Sequence, residues 1–568
     1  MEFNKFSDIP VHKPNIEEIK TKFLNLTEKL KNAKDGKEAI AVTKEYFHYS
    51  DEVNSNIQII HIRYTINVLD KKYEELVDFI NENAPYIDEA SNAFEMELYN
   101  SKFRKELEEE FGSHFFNQVA AGLKVFSPEI IEDLQEENRL ATSYDKLMGS
   151  ALIDYEGEKL PVTKISAFFA DDDRNVRAKS TKAYFDFLAA HDEEIGAIYD
   201  GLVKVRDRIA KKLGFKDFVE VGYLRLGRVD YDEHDVENYR KQIVENIVPL
   251  SEKLFERQAK RLKFDDIKFY DYNLGFLSGN AKPIGTPDEL VKKAQAMYKD
   301  MNEIPSHYFN FMVDHELFDL VSKEGKQPGG YMDYIPSIKS SFIFSNFNGT
   351  DGDVEVLTHE FGHALQGFLS ADIEVPSYRS PGYEACEIHS TSMEFMTYPW
   401  MDSFFGANAD KYRFSHLANA ITFIPYGASI DEFQHFVYKN PNATHAERKA
   451  KYREIEKKYL PHKHYGEGYE HLEEGGFWMR QGHIYGSPFY YIDYTIAHVC
   501  AFEFFVESLK DFDKTFDKYI RFSKLGGTLP FKALLKEGGL ENPFDNGTIE
   551  HITPTLEAYL DKFDDFNM

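Results

Sequence analysis

Cysteine is nearly absent: Cys386 and Cys500 are the only two in 568 residues. Two thiols cannot build a disulfide framework, and their scarcity fits a reducing compartment. Basic side chains are outnumbered, 67 against 97 acidic ones, for a formal net charge of −30. That balance excludes the cationic footprint nucleic acid needs to displace counterions, and it disfavours anionic membrane surfaces equally. No apolar run approaches the roughly 18 residues of a bilayer-spanning helix. The opening MEFNKFSDIPVHKPN lacks the apolar core of a signal peptide, so the expected location is cytoplasmic. Internal repeats and low-complexity linkers are missing too, which argues for lobes that share elements rather than beads on a string.

What remains is a chain able to bury a large core, with 42% hydrophobic and 15% aromatic residues but only 2 Trp. Apolar residues at three-and-four spacing predict helices over 16–30, 57–81 and 86–112. Alternation around Glu156-Gly157 predicts a short hairpin over 151–165. Helices are expected again over 173–213 and 238–262, the latter kinked or broken at Pro249. The segment 275–287 reads as loop. A β-branched and aromatic run over 337–347 reads as a strand. Its position just before the motif described next suggests that it binds a peptide by edge pairing.

Residues 359–363 read His-Glu-Phe-Gly-His. On a helix, histidines four apart share one face and can bind one zinc, and the intervening Glu can take a proton from bound water. Thr350-x-x-Asp353 offers a cap, and Val354, Leu357, Phe361, Ala364 and Phe368 form an apolar stripe on another face. Gly362 costs such a helix ~1 kcal/mol relative to Ala, and either permits a close backbone approach or is simply tolerated. A catalytic zinc needs a third protein ligand and an open position. Glu387 lies 24 residues beyond His363, and on a second helix it shares a face with Ser390 and Glu394. Glu384 and His389 compete for the ligand role. Further on, Ser487-Pro488 reads as a helix start that places Tyr491, Tyr494 and His498 on one face, just after His483. Such donors suit an oxyanion, while composition alone favours an aromatic helix packed in the core. His462, His464 and His471, among glycines over 461–477, read as a mobile loop near a cleft, with a second metal site as the alternative.

HEFGH followed by Glu-x-x-Ser-x-x-x-Glu at 387–394 resembles the M3 family of zinc metallopeptidases, the thimet oligopeptidase and oligoendopeptidase F group. FIFSNFNGTDGDVEVLT and RQGHIYGSPFYYIDY strengthen the likeness, which is nearest to the short bacterial branch that includes Pz-peptidase. The resemblance implies a mainly α, two-lobed zincin-type fold with a deep substrate channel and a small β-sheet beside the active site. It implies His359, His363 and Glu387 as ligands of one zinc per chain and Glu360 as general base. It places His483 near the substrate carbonyl and the stabilising tyrosines on Tyr491 and Tyr494, with Tyr490 as the alternative. An N-terminal helical region over 1–164 and a catalytic region over 165–568 are expected.

The function so implied is a zinc-dependent endopeptidase that hydrolyses internal bonds of short oligopeptides through a Glu-assisted, zinc-activated water. The expected partners are short peptides, with neither nucleic acid nor membrane; oligomeric state is left open. The alternatives are a zinc exopeptidase of carboxypeptidase type and a non-catalytic, zinc-containing peptide-binding protein.

Overall fold

A computed structural model describes residues 3–327 and 329–568, apart from the side chain of Pro85. Helices dominate, and strands are confined to a two-stranded hairpin and a three-stranded sheet. The described residues form two compact units, each assembled from three stretches of chain. The first unit contains 1–123, 282–407 and 507–540; the second contains 124–281, 408–506 and 541–568.

In the first unit, helices Ile16–Lys31, Gly36–Ile66 and Lys71–Tyr99 pack through Phe23, Leu26, Phe47, Phe94 and Leu98, all buried. Side-chain caps fix their starts: Asn15 accepts from the Glu18 amide, Asp35 from Glu38 and Asp70 from Lys72. The helix expected over 57–81 is therefore two helices, separated at 67–70 where Asp70 begins the second. The one expected over 86–112 is likewise interrupted, ending at Tyr99 and resuming as Arg104–Phe111.

Strand Ser340–Phe347 is the middle of the sheet, parallel to Phe318–Val321 on one side and antiparallel to Tyr331–Ile335 on the other. It starts three residues later than its β-branched texture suggests, because Pro336–Ile338 forms a 3-10 turn and Lys339 adopts φ +47°. Being paired on both sides, it has no free edge, so it cannot itself add a peptide strand. The edges belong to Phe318–Val321 and Tyr331–Ile335.

In the second unit the hairpin forms as expected, Leu152–Tyr155 against Glu158–Pro161, with positive φ at Glu156 and Gly157 in the turn. Helices Arg174–Ala190 and Asp192–Lys212 fill the stretch where helices are expected. Pro249 does not break its helix. A π-turn over Ile243–Ile247 precedes Val248–Arg261, so the missing proline N–H falls in the first turn of the following segment. Buried ion pairs cross-brace this unit: Arg206–Glu137 at 2.7 Å, Arg228–Asp493 at 2.5 Å and Arg177–Asp271 at 2.8 Å. No described helix is long and apolar enough to cross a membrane.

Candidate active site

Helix Gly352–Leu369 carries the HExxH motif. Its cap differs from the expected one. The Asp353 carboxylate reaches back to accept from the Asn348 and Gly349 amides at 2.9 and 2.8 Å, while Thr350 Oγ1 turns to Asn348 Oδ1. Val354, Leu357, Phe361 and Ala364 are fully buried, as the stripe requires, and Phe368 stacks on Tyr308 with centroids 4.3 Å apart. The histidine face is thereby turned away from the core stripe, with the two imidazole centroids 4.9 Å apart.

Helix Tyr383–Met396 lies against it, and the closeness depends on Gly362. A Cβ there would stand 2.7 Å from both the His389 carbonyl oxygen and Ser390 Cα. This approach brings Glu387 Oε2 to 3.3 Å from His359 Nε2 and 3.6 Å from His363 Nε2. One ligand atom from each of these three residues lies within 4.8 Å of the others. Two imidazoles and one carboxylate, converging at that spacing with the metal-facing Nε2 atoms inward, fit a zinc ion.

The flanking groups orient this trio. Glu394 Oε1 lies 2.6 Å from His359 Nδ1, and Ser390 Oγ donates to Glu387 Oε2 at 3.1 Å. His359 and Glu387 hold each other in their charged forms against burial, the imidazole raised well above its usual range and the carboxyl lowered well below its own. The competing candidates go elsewhere. His389 is buried beside Phe522 and Ser523, with Nδ1 3.2 Å from Ser523 Oγ, and burial pushes its pKa down to about 3. Glu384 is not in the converging group.

Glu360 is 8% exposed, and burial raises its carboxyl despite the opposing imidazoles. The edge strand borders it. Gly330, just before that strand, presents a face from which a Cβ would lie 3.8 Å from Glu360 Oε1. Asp333 on the strand is pushed up to about 6, first by burial and then by the Glu360 charge. Asp333 and Gly330 have no spacing signal in the sequence; only the sheet register brings the first to the helix.

His483, Tyr491 and Tyr494 belong to the second unit and cluster there. The His483 ring lies 4.9 Å from that of Tyr491, 5.9 Å from Tyr494 and 6.1 Å from Tyr490, so all three phenols surround it. The helix begins at Tyr491, not at Pro488. Phe489 is the reason: its φ of +68° interrupts the turn, and Gln434 and Arg228 bind its amide and carbonyl. Tyr491, Tyr494 and His498 still share a face. Gln481, given no role in the sequence reading, donates from Nε2 to His483 Nδ1 at 2.7 Å and accepts from the Tyr426 hydroxyl at 2.9 Å. Its position two residues before the histidine is the one signal that could have found it. Burial lowers the His483 pKa, which favours a neutral ring; with Nδ1 accepting, the ring proton sits on Nε2. His462 and His471 serve other partners, Glu252 at 2.6 Å and Asp192 at 3.6 Å, and they join no metal-like group among the described residues.

The family model "Peptidase M3 N-terminal domain" matches residues 6–126, and "Peptidase family M3" matches 167–554. The chain is similar to Pz peptidase A, solved with an inhibitor: 44% identity and a TM-score of 0.93, over 99% of this chain and 100% of that one. It is also similar to a Bacillus anthracis str. Ames protein provisionally named oligoendopeptidase F, with 41% identity and a TM-score of 0.89 over 100% of both chains. Oligopeptidase PepF of Bacillus subtilis (strain 168) is 20% identical over 411 residues, 71% of this chain; the match spans 59% of that relative's own length. The larger family match covers well over half of the sequence and contains the converging histidines and glutamate, so this chain belongs to peptidase family M3.

Proposed function

We propose that the protein is a zinc-dependent endopeptidase acting on internal bonds of short peptides, with His359, His363 and Glu387 holding the metal. The observation that carries this is the convergence of those three ligand atoms with a buried carboxylate, Glu360, on the same helix. A structural metal site has no use for such a base. A zinc ion bound there supplies Lewis acidity toward a peptide carbonyl and a water acidic enough to attack near neutral pH. Glu360 takes the proton of the attacking water and delivers it to the departing amine nitrogen. Ser390 and Glu394 hold Glu387 and His359 in register. His483, through Nε2–H, and the hydroxyls of Tyr491 and Tyr494 donate to the developing oxyanion, where one such donor is worth roughly 2.7–4 kcal/mol.

The edge strand Tyr331–Ile335, bordering Glu360, supports extended binding of the peptide backbone. The restriction to short peptides, and a cytoplasmic place of action, rest on family membership, charge and composition. Mass spectrometry of a defined peptide ladder tests the reading, with Glu360→Gln run in parallel. Internal cuts made by the zinc-loaded protein and lost in the variant are expected. Trimming from one end would favour an exopeptidase, and no cleavage would favour a peptide-binding protein.

A further inference from the structure

We propose that Arg480, assisted by Lys463, forms a subsite for a carboxylate of the bound peptide. The proposal rests on His483 and its tyrosines acting on the substrate, since Arg480 opens the same short segment, Arg480-Gln481-Gly482-His483.

The chain carries 30 more acidic than basic groups, and the buried arginines Arg206, Arg228 and Arg177 of this unit are each matched by a carboxylate at short range. Arg480 has no such match. Among the described residues no carboxylate stands within ion-pair distance of it; its electrostatic neighbours are the phenols of Tyr184, Tyr426, Tyr452 and Tyr491. Its guanidinium lies 5.0 Å from the centre of the Phe477 ring, and the residue is solvent-exposed. Lys463 places Nζ 3.1 Å from the centre of that same ring. The lysine's nearest carboxylate, Glu456 at 3.6 Å, is already bound by Arg453 at 3.0 Å and by the Tyr465 hydroxyl at 2.5 Å. Burial and the neighbouring Arg480 help push Lys463 down to about 7.

Two cations thus meet over one aromatic ring with less than one carboxylate between them. A planar guanidinium whose N–H groups are unclaimed matches a carboxylate in a bidentate fashion. An arriving anion would also relieve the repulsion that Arg480 exerts on Lys463. The neighbouring phenols add no competing negative charge. A peptide offers such a group as its free C-terminus or as an Asp or Glu side chain.

The experiment uses peptide pairs differing in one carboxylate: free C-terminus against C-terminal amide, and Glu against Gln at successive positions. The zinc-loaded wild type, Arg480→Gln and Arg480→Lys are compared by kcat/KM. For one pair, the wild type should favour the carboxylate by about 10–100-fold, mainly through KM, as expected for a charge-assisted hydrogen-bonded pair. Arg480→Gln should abolish that preference, and Arg480→Lys should retain part of it. Loss on amidation identifies the C-terminus; loss on Glu-to-Gln exchange identifies a side chain. A wild type indifferent to every exchange, or an Arg480→Gln variant weakened equally on both members of each pair, would overturn the proposal. Fluorescence anisotropy of the same pairs on zinc-loaded Glu360→Gln protein reads binding alone. A carboxylate preference there, without any cleavage by the wild type, would sink the peptidase reading and keep the subsite. No preference there would remove the subsite whatever the catalysis. Should Arg480→Gln fail to fold, Lys463→Gln carries the same comparison.

Discussion

Glu394 grips His359 from behind: its carboxylate lies 2.6 Å from Nδ1, while Nε2 of the same ring faces Glu387 at 3.3 Å. One edge of the imidazole is thus committed to orientation and the other faces the converging ligand atoms, and the carboxylate would make the ring a stronger donor to a bound metal. Replacing Glu394 with Ala should lower zinc affinity by about 10–100-fold without abolishing binding. Competition with a chelator of known affinity measures this. Unchanged affinity would show that helix packing alone fixes the ring.

Gly362→Ala pits two effects against each other. Helix propensity favours Ala by ~1 kcal/mol. The new Cβ, however, would stand 2.7 Å from a backbone oxygen and a Cα of the neighbouring helix, neither of which can rotate away. Overpacking of this kind costs roughly 1–3 kcal/mol, so a net loss of stability is expected in denaturant unfolding. Because the displaced helix carries Glu387, zinc affinity should fall with it.

Gln481→Leu removes the donor to His483 Nδ1 and the acceptor for Tyr426. The imidazole can then adopt either tautomer, and only one presents Nε2–H. The expected result is a fall in kcat of about tenfold with KM little changed, smaller than the loss of a whole oxyanion donor. An unaltered kcat would mean that the ring's surroundings fix the tautomer without Gln481.

His114 sits 7% exposed with Nδ1 unpartnered, stacked near Tyr378, and burial pushes its pKa down to about 4. The unfolded chain takes up a proton near pH 6.5 that the folded chain refuses until about 4. Stability contributed by this site is therefore intact above pH 6.5 and declines as pH falls toward 4, by on the order of 3 kcal/mol. His114→Phe should flatten that decline. Urea unfolding at pH 7 and pH 4.5 makes the comparison, and parallel declines in both proteins would refute it.

The metal constellation is legible in the sequence because its chemistry follows a helical period: His359, His363, then Glu387 with Ser390 and Glu394 on one face. Periodicity cannot choose among Glu384, Glu387 and His389. That choice turns on the roll of one helix against another, which Gly362 sets. Helix ends depart from expectation where a single residue overrides periodicity. Asp70 starts a helix inside an apolar pattern, Phe489 leaves the helical region, and a π-turn absorbs Pro249. The peptide-edge expectation fails because the most β-like run is the best buried, and a strand paired on both sides offers nothing to a ligand. Gln481 and Tyr426 are 55 residues apart, and no local pattern announces their hydrogen bond to one another.

The first unit closes only with residues 507–540, where Tyr519 donates to the His389 carbonyl at 2.9 Å and Ser523 meets the His389 ring. Those contacts brace the helix that carries Glu387. Synthesis runs from the N-terminus, at roughly 5–20 residues per second. The ribosome therefore makes every ligand long before it makes the segment that steadies them. A nascent chain stalled before residue 507 would carry the complete motif yet lack the support for its third ligand. The bracing of the third candidate ligand is in this way deferred until well after the ligands themselves have been made.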